Sequence, residues 1–311
     1  MRASSSLSSF DPSDELTLVL DGETDRIIRQ EDCWDFRGPV PENFRPLRFT
    51  CLATALVSGD GGPRDAIVWF GANGKAEKGY IDVENAEPRE LEIVCSDAAE
   101  SMRETDCSRV LKYVEDKVYN SGARVVTFNG VSFDFRLLAA QFPPGSPEAL
   151  SCAELAWASY DPCLEMLCSK GFPVGLKAMC EAFQLPQKLE AGSDAPALWA
   201  SGDLEGRKRV LLYCASDVTL TYRLYAAIKR NKEIRWVSKK GNKCVHKLRD
   251  ARLHSASELA VFPFPDTSWM TKDSEETKVP EESQEFERPG PIPRDGAFTW
   301  MISSYFSCNA C

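Results

Sequence analysis

At 311 residues and 43% hydrophobic content, the chain carries enough apolar side chains for one sizeable core with extensions, or for two small domains. A formal net charge of −10 argues against a surface coated in cations for long nucleic acid. It leaves room for a nucleic-acid enzyme with a locally basic groove. The Ser-rich start, Met1 to Phe10, lacks the apolar core of a signal peptide, and no run reaches the ~18 apolar residues of a membrane span. The 12 cysteines form no framework, and Cys51, Cys95, Cys180 and Cys214 lie in apolar, core-like runs. That usage suits a reducing compartment, so the expectation is a soluble cytoplasmic protein without a membrane partner.

Residues 1–13 read as a disordered lead-in. Leu16-Thr-Leu-Val-Leu20 then reads as a buried strand running into Asp21-Gly22-Glu23. Acids two positions apart on an extended strand emerge on one face and repel each other unless a cation lies between them. A hard divalent ion, which takes oxygen ligands, suits that position. With 47 acids in the chain, such a pair arises by chance roughly seven times, so its value depends on ligands supplied from elsewhere.

The segment from Arg26 to Leu47 is polar and Pro-punctuated, a loop. Phe49–Val57 reads as a second strand, although its alanines leave a helix open; Ser58–Gly62 is turn chemistry, Ala66–Phe70 a third strand and Gly79–Val83 a short further one. Strands joined by turns suggest an antiparallel meander. The pattern then changes. Val110, Leu111, Val114 and Val118 form a helical stripe over Ser108–Tyr119, Ala123–Phe128 is a strand, and Phe133–Gln141 a helix stopped by Pro143-Pro144. Further helices are expected over Pro147–Ser159, Leu164–Lys170, Gly175–Phe183 and Arg207–Arg230. A meander followed by helix–strand–helix units is an α/β layout with a mixed sheet flanked by helices.

Two more acids matter. Asp134, in Asn129-Gly-Val-Ser-Phe-Asp134, opens a helix after a buried strand, where α/β sheets tend to place catalytic groups; a helix-start acid favoured by the dipole is the plainer explanation. Tyr213 and Asp217 stand at i and i+4 on one expected helix and share a face, as they also would on an ordinary amphipathic helix.

Taken in order, Asp-x-Glu on the first strand, Asn-Gly-x-x-Phe-Asp after a later strand and Tyr-x-x-x-Asp on a late helix resemble the three exonuclease motifs of the DEDD superfamily. Tyr213 in place of His makes the resemblance one to its DEDDy branch. Gly175–Phe183, Ala197-Leu-Trp199 and Tyr213-Cys214 are similar to connecting segments of exonucleases related to family B polymerase proofreading domains. The resemblance spans roughly residues 14–230, and the polar insertion from Arg26 to Leu47 departs from it. It implies a ribonuclease H-like fold and a 3′–5′ exonuclease acting on single-stranded 3′ ends with two divalent cations, Mg²⁺ or Mn²⁺. By motif, Asp21 would bridge both ions, Glu23 and Asp217 would complete the site of one, and Asp134 would hold the other. Tyr213 would orient the attacking water, while Asn129 and Phe133 would touch the terminal nucleotide or, equally, be a turn Asn and a core Phe. DNA is favoured as substrate; the alternatives are an exoribonuclease resembling ribonuclease D, and a nuclease-fold module that holds ends without cutting.

The remaining organisation follows from charge. Between Arg207 and Arg252 lie 14 Lys and Arg against three acids, with Trp236 among them. This segment either guides a phosphate backbone and stacks a base or is a solvated helix face. The expected divisions are an exonuclease domain over 14–232, a basic extension over 233–271, an acidic Pro-containing linker over 272–296 and an apolar tail over 297–311. Cys308 and Cys311, with Cys244 and His246, offer a remote zinc arrangement; a frayed tail is the favoured explanation. His246 and His254 are given no catalytic role.

Overall fold

The computed structural model describes residues 16–26, 47–58, 63–71, 77–79, 100–186 and 194–266. The expected lead-in, nearly all of the polar insertion, the acidic linker, and the apolar tail with Cys308 and Cys311 lie outside the described residues.

Among the described residues the sheet has five strands: β1 (Thr17–Thr24), β2 (Phe49–Val57), β3 (Pro63–Phe70), β4 (Glu77–Gly79) and β5 (Arg124–Val126). Their order is β4-β3-β2-β1-β5. The first four form the expected antiparallel meander, and β5 adds to β1 in parallel through Thr17↔Arg124 and Val19↔Val126. The short fourth strand covers Glu77–Gly79, and residues 80–83 of the expected Gly79–Val83 lie outside the described residues. β5 is shorter than expected because Thr127 turns its N–H to the Tyr160 carbonyl, so the chain leaves the sheet after Val126.

Around the sheet lie α1 (Glu104–Glu115), α2 (Asp134–Ala140), α3 (Pro147–Ala158), α4 (Pro162–Lys170), α5 (Leu176–Ala182), α6 (Ala195–Ala200) and α7 (Leu204–Asn231). α4 and α7 begin earlier than the apolar pattern indicates because each has an acid at its N-cap. Asp161 caps α4, with Pro162 at the first helical position, and the Asp203 carboxylate accepts the Gly206 N–H at 3.1 Å.

Alternation along β1 and β2 gives the sheet two unlike faces. Leu18, Leu20, Leu52 and Leu56 point to one side, where they pack with residues of α1, α2 and α3. Val19, Cys51, Ala53 and Ala55 point to the other, where they pack with α5, α6 and α7. The alanines that left β2 ambiguous are therefore strand residues, and their size lets α7 approach β1 and β2. Burying each of the leucines contributes roughly 1.5–3 kcal/mol.

The segment after residue 232 does not stand apart from this core. β6 (Glu233–Val237) and β7 (Lys243–Lys247) form a hairpin that packs on α5 and α7 through Ile234 and Trp236, and α8 (Ala256–Ala260) packs on α3 and α4. A buried contact fastens it further: Glu165 Oε2 on α4 accepts the His254 backbone N–H at 3.2 Å and faces His254 Nδ1 at 3.4 Å. Burial pushes the Glu165 carboxyl up to about 7 and pulls the His254 imidazole down. No helix among the described residues is long and apolar enough to cross a membrane.

Candidate metal centre

The site is assembled where β1 runs past the end of β5. Strand pairing between them stops at Val19↔Val126, whereas β1 continues to Thr24, leaving Asp21, Gly22 and Glu23 with β2 on one side and, among the described residues, no parallel neighbour on the other. Asp21 and Glu23 lie opposite Ala53 and Cys51, on the face that α7 covers. Gly22 points the other way. A Cβ there would come within 2.6 Å of the Phe49 ring and 2.7 Å of Leu52, so close packing beneath the strand demands glycine between the two acids.

α7 crosses above this face and brings Asp217 down onto the strand. Carboxylate oxygens of Asp21, Glu23 and Asp217 all lie within 4.8 Å of one another. Asp217 is buried and the two strand acids are half-buried. One turn earlier on the same helix face is Tyr213, only 5% exposed. Next to it, the Cys214 thiol donates to the Asp21 carbonyl at 3.5 Å, tying the helix to the strand. Burial raises the Cys214 thiol well above its ordinary range, so it acts as a packing residue and weak donor.

The fourth acid comes from the other side of the gap. Asp134, at the first position of α2, is 3% exposed, and its carboxylate accepts the backbone N–H of Gly22 as well as its own. Burial pushes its pKa up to about 8; the nearby Asp161 and Asp217 carboxylates add to the rise, and the two backbone donors oppose it. Its Oδ1 is buried without a hydrogen-bond partner. Asp134 does not belong to the tight group of three, but it is fixed to the residue between two of them and senses the charge of the third.

What holds Asp134 there is a residue the motif pattern did not reveal. Asp161, 1% exposed, accepts the backbone N–H groups of Asn129 (2.9 Å), Val131 (3.2 Å), Cys163 (3.0 Å) and Leu164 (3.2 Å). One carboxylate thus caps α4 and gathers the loop between β5 and α2. In that loop Asn129 has φ +63°, a conformation Asn tolerates better than most residues, and its carbonyl accepts the N–H of Phe133 at 2.9 Å. A Cβ on Gly130 would come within 2.5 Å of Thr127, so glycine is required sterically at that position. The sequence signal for Asp161 was Asp-Pro, an N-cap followed by proline, which marks a helix start but not a second use of the carboxylate.

Asn129 is half-buried and takes part in the site's framework through its backbone. Phe133 is half-buried against the core beneath α2. Trp236 lies edge-on to Phe172 at 6.1 Å between ring centres and packs against the α7 side of the core. Cys244 and His246 sit on β7, and among the described residues the acid trio alone forms a group with metal-ligand geometry.

The three acids can hold a metal ion. All their donors are carboxylate oxygens, which suit a hard divalent cation better than a soft one. No protein-family model matches the chain, and no curated protein matches it significantly.

Proposed function

We propose that the chain is a metal-dependent 3′–5′ exonuclease that hydrolyses phosphodiester bonds at nucleic-acid 3′ ends, with DNA favoured. The observation that carries this reading is the convergence of Asp21, Glu23 and Asp217 within 4.8 Å, with Asp134 tied to Gly22 beside them. Four acids gathered at one sheet end, two of them buried, repel each other strongly in the absence of cations. A protein that only packed or capped with these residues would have no use for that repulsion. The sheet order, with one parallel strand beside an antiparallel meander, is compatible with a ribonuclease H-like fold.

The donor set fits Mg²⁺ or Mn²⁺, and the unpartnered buried Oδ1 of Asp134 is a ready acceptor beside the trio. Asp21, Glu23 and Asp217 would hold one ion, Asp21 and Asp134 a second. Two such ions, when bound, lower the pKa of water and neutralise charge at the leaving oxygen. The chain itself supplies positioning. Asp161 fixes the loop that carries Asp134, and α7 aligns Tyr213 with Asp217 on one face. A phenol is a poor base near neutral pH, so Tyr213 orients a water or phosphate oxygen as a hydrogen-bond partner.

The test uses single-stranded DNA and RNA, each labelled at either the 3′ or the 5′ end, incubated with Mg²⁺ or Mn²⁺ and with EDTA as control. A ladder shortening from the 3′ end only when metal is present is the expected result, and the DNA and RNA arms report the sugar preference. Full-length substrate in every metal-containing lane would overturn the proposal.

A further inference from the structure

Charge is distributed very unevenly on this protein. Residues 229–249 hold nine Lys and Arg against the single acid Glu233, a net of +8 in a chain whose total is −10. These cations are gathered on the end of α7 and on the β6–β7 hairpin. Pairing across the hairpin sets Arg235 opposite Val245, Val237 opposite Lys243 and Glu233 opposite Lys247, so these six residues share one face. Lys243, Val245 and Lys247 are exposed on that face, while Cys244 and His246 between them turn inward. Lys239 and Lys240 project from the turn.

That turn is fixed. Ser238 N–H donates to the Asn242 carbonyl and Gly241 N–H to the Ser238 carbonyl, both at 2.8 Å, and Asn242 N–H donates to Ser238 Oγ at 3.0 Å. Gly241 has φ +79°, which a side chain would strain. The hairpin's acid is already taken, since Arg235 meets Glu233 at 2.6 Å, and no acid among the described residues pairs with Lys239, Lys240, Lys243 or Lys247.

We propose that this hairpin is a binding surface for the phosphate backbone of a nucleic-acid strand. Lys243 and Lys247, four residues apart on one strand, are separated by about 13 Å, which spans about four phosphates of a stacked strand. Trp236 is engaged with Phe172, and the Phe183 ring is covered by the Arg235 guanidinium at 5.4 Å; the hairpin residues on the outer face are charged or aliphatic, so the surface grips phosphates and does not read bases. The same lack of an exposed aromatic or broad apolar face disfavours insertion at a membrane surface. Choosing nucleic acid over another polyanion rests on the nuclease reading of the acid cluster. The two places are joined by one rigid element, for Asp217 and the end of α7 at Asn231 lie about 21 Å apart along the helix.

The test measures binding without cutting. Fluorescence anisotropy of a labelled oligothymidylate of about thirty nucleotides is followed in EDTA between about 50 and 200 mM salt. The wild-type protein is expected to lose affinity by about 50-fold or more across that range. In K239Q/K240Q/K243Q/K247Q the logarithmic salt slope should shrink by about 3 and the affinity at low salt should fall accordingly. Should four changes disturb the hairpin, K239Q/K240Q alone alters only the turn and should reduce the slope by about 1.4. Equal slopes for wild type and a folded variant would overturn the proposal. So would binding to phosphatidylserine vesicles without binding to the oligonucleotide. Salt-dependent binding by a protein that never cuts would leave this surface standing and remove the nuclease reading; cutting with an unchanged slope would do the reverse.

Discussion

The backbone N–H of Gly22 donates to the carboxylate of Asp134, which holds the first acid of α2 against the strand segment carrying Asp21 and Glu23. This contact joins two parts of the proposed site that are far apart in the chain. It forms because β5 ends at Val126 and leaves β1 without a parallel neighbour beyond Val19. A backbone donor that a longer β5 would have paired is thereby available to an acid.

Replacing Asp217 or Asp21 by Ala is expected to abolish metal-dependent trimming while the protein still folds. Each change removes one member of a mutually repelling trio, so thermal stability without metal should hold or rise. End-labelled substrate ladders and melting curves check this together. Full nuclease activity in a folded Asp217→Ala protein would remove the acid from the chemistry.

Asp134 gives a pH-dependent signature. Its pKa is about 8 in the metal-free fold against an ordinary 3.8, so it keeps its proton in the fold where the unfolded chain has lost it. Its contribution to stability is therefore greatest below about pH 4 and declines as pH climbs toward 8. Asp134→Asn keeps the shape and an acceptor oxygen but cannot ionise. In EDTA at pH 8 the variant should melt higher than wild type by at least ~2 °C, with the gap closing toward pH 4. Identical melting at pH 8 would contradict the raised pKa.

Added Mn²⁺ should reverse that order, since a cation favours the ionised carboxylate. The wild-type melting point should rise on adding metal, increasingly so between pH 6 and 8 as the proton on Asp134 becomes easier to displace. Asp217→Ala should lose most of the response. An equal metal-induced shift in wild type and that variant would place the ion elsewhere.

For Tyr213→Phe the expected result is a partial loss, on the order of tenfold to a thousandfold in rate, with unchanged metal response. The ring is 5% exposed and stays packed, so only the hydroxyl is tested. Single-turnover rates at saturating metal measure it, and a wild-type rate would take Tyr213 out of the mechanism.

Asp161→Ala should be the most damaging of these changes to stability. It removes the shared acceptor of four backbone N–H groups in a buried place, with an expected cost of roughly 3 kcal/mol or more. Denaturant unfolding gives the number. A loss below about 1 kcal/mol would mean that water replaces the carboxylate easily.

Much of this fold was legible because its strands and helices carry clean apolar periods. Leu16–Leu20, Ala66–Phe70 and the long helix bearing Tyr213 and Asp217 are each evident from spacing, whereas the first strand, expected to end at Gly22, runs through it to Thr24 because Gly22 and Glu23 stay paired with β2. Where local pattern was ambiguous, packing decided. Phe49–Val57 holds enough alanine for a helix, and it is a strand because small residues on one face admit α7 while leucines fill the other. Residues 233–271 read as a basic extension by charge, and within them Ile234, Ala256 and Leu259 are buried in the two cores.

By itself the sequence determined that acids stand at 21, 23, 134 and 217, on a strand end, a helix start and a helix face. Those are local properties, set by residue type and by the periods of strand and helix. Only the tertiary structure decided that three of them meet within 4.8 Å, that the fourth is held by the Gly22 amide, and that Asp161 braces its loop. Distances between side chains remote in sequence depend on where β5 stops and on how closely α7 settles on Ala53 and Ala55. Both are outcomes of packing the whole sheet, which no short stretch of residues encodes.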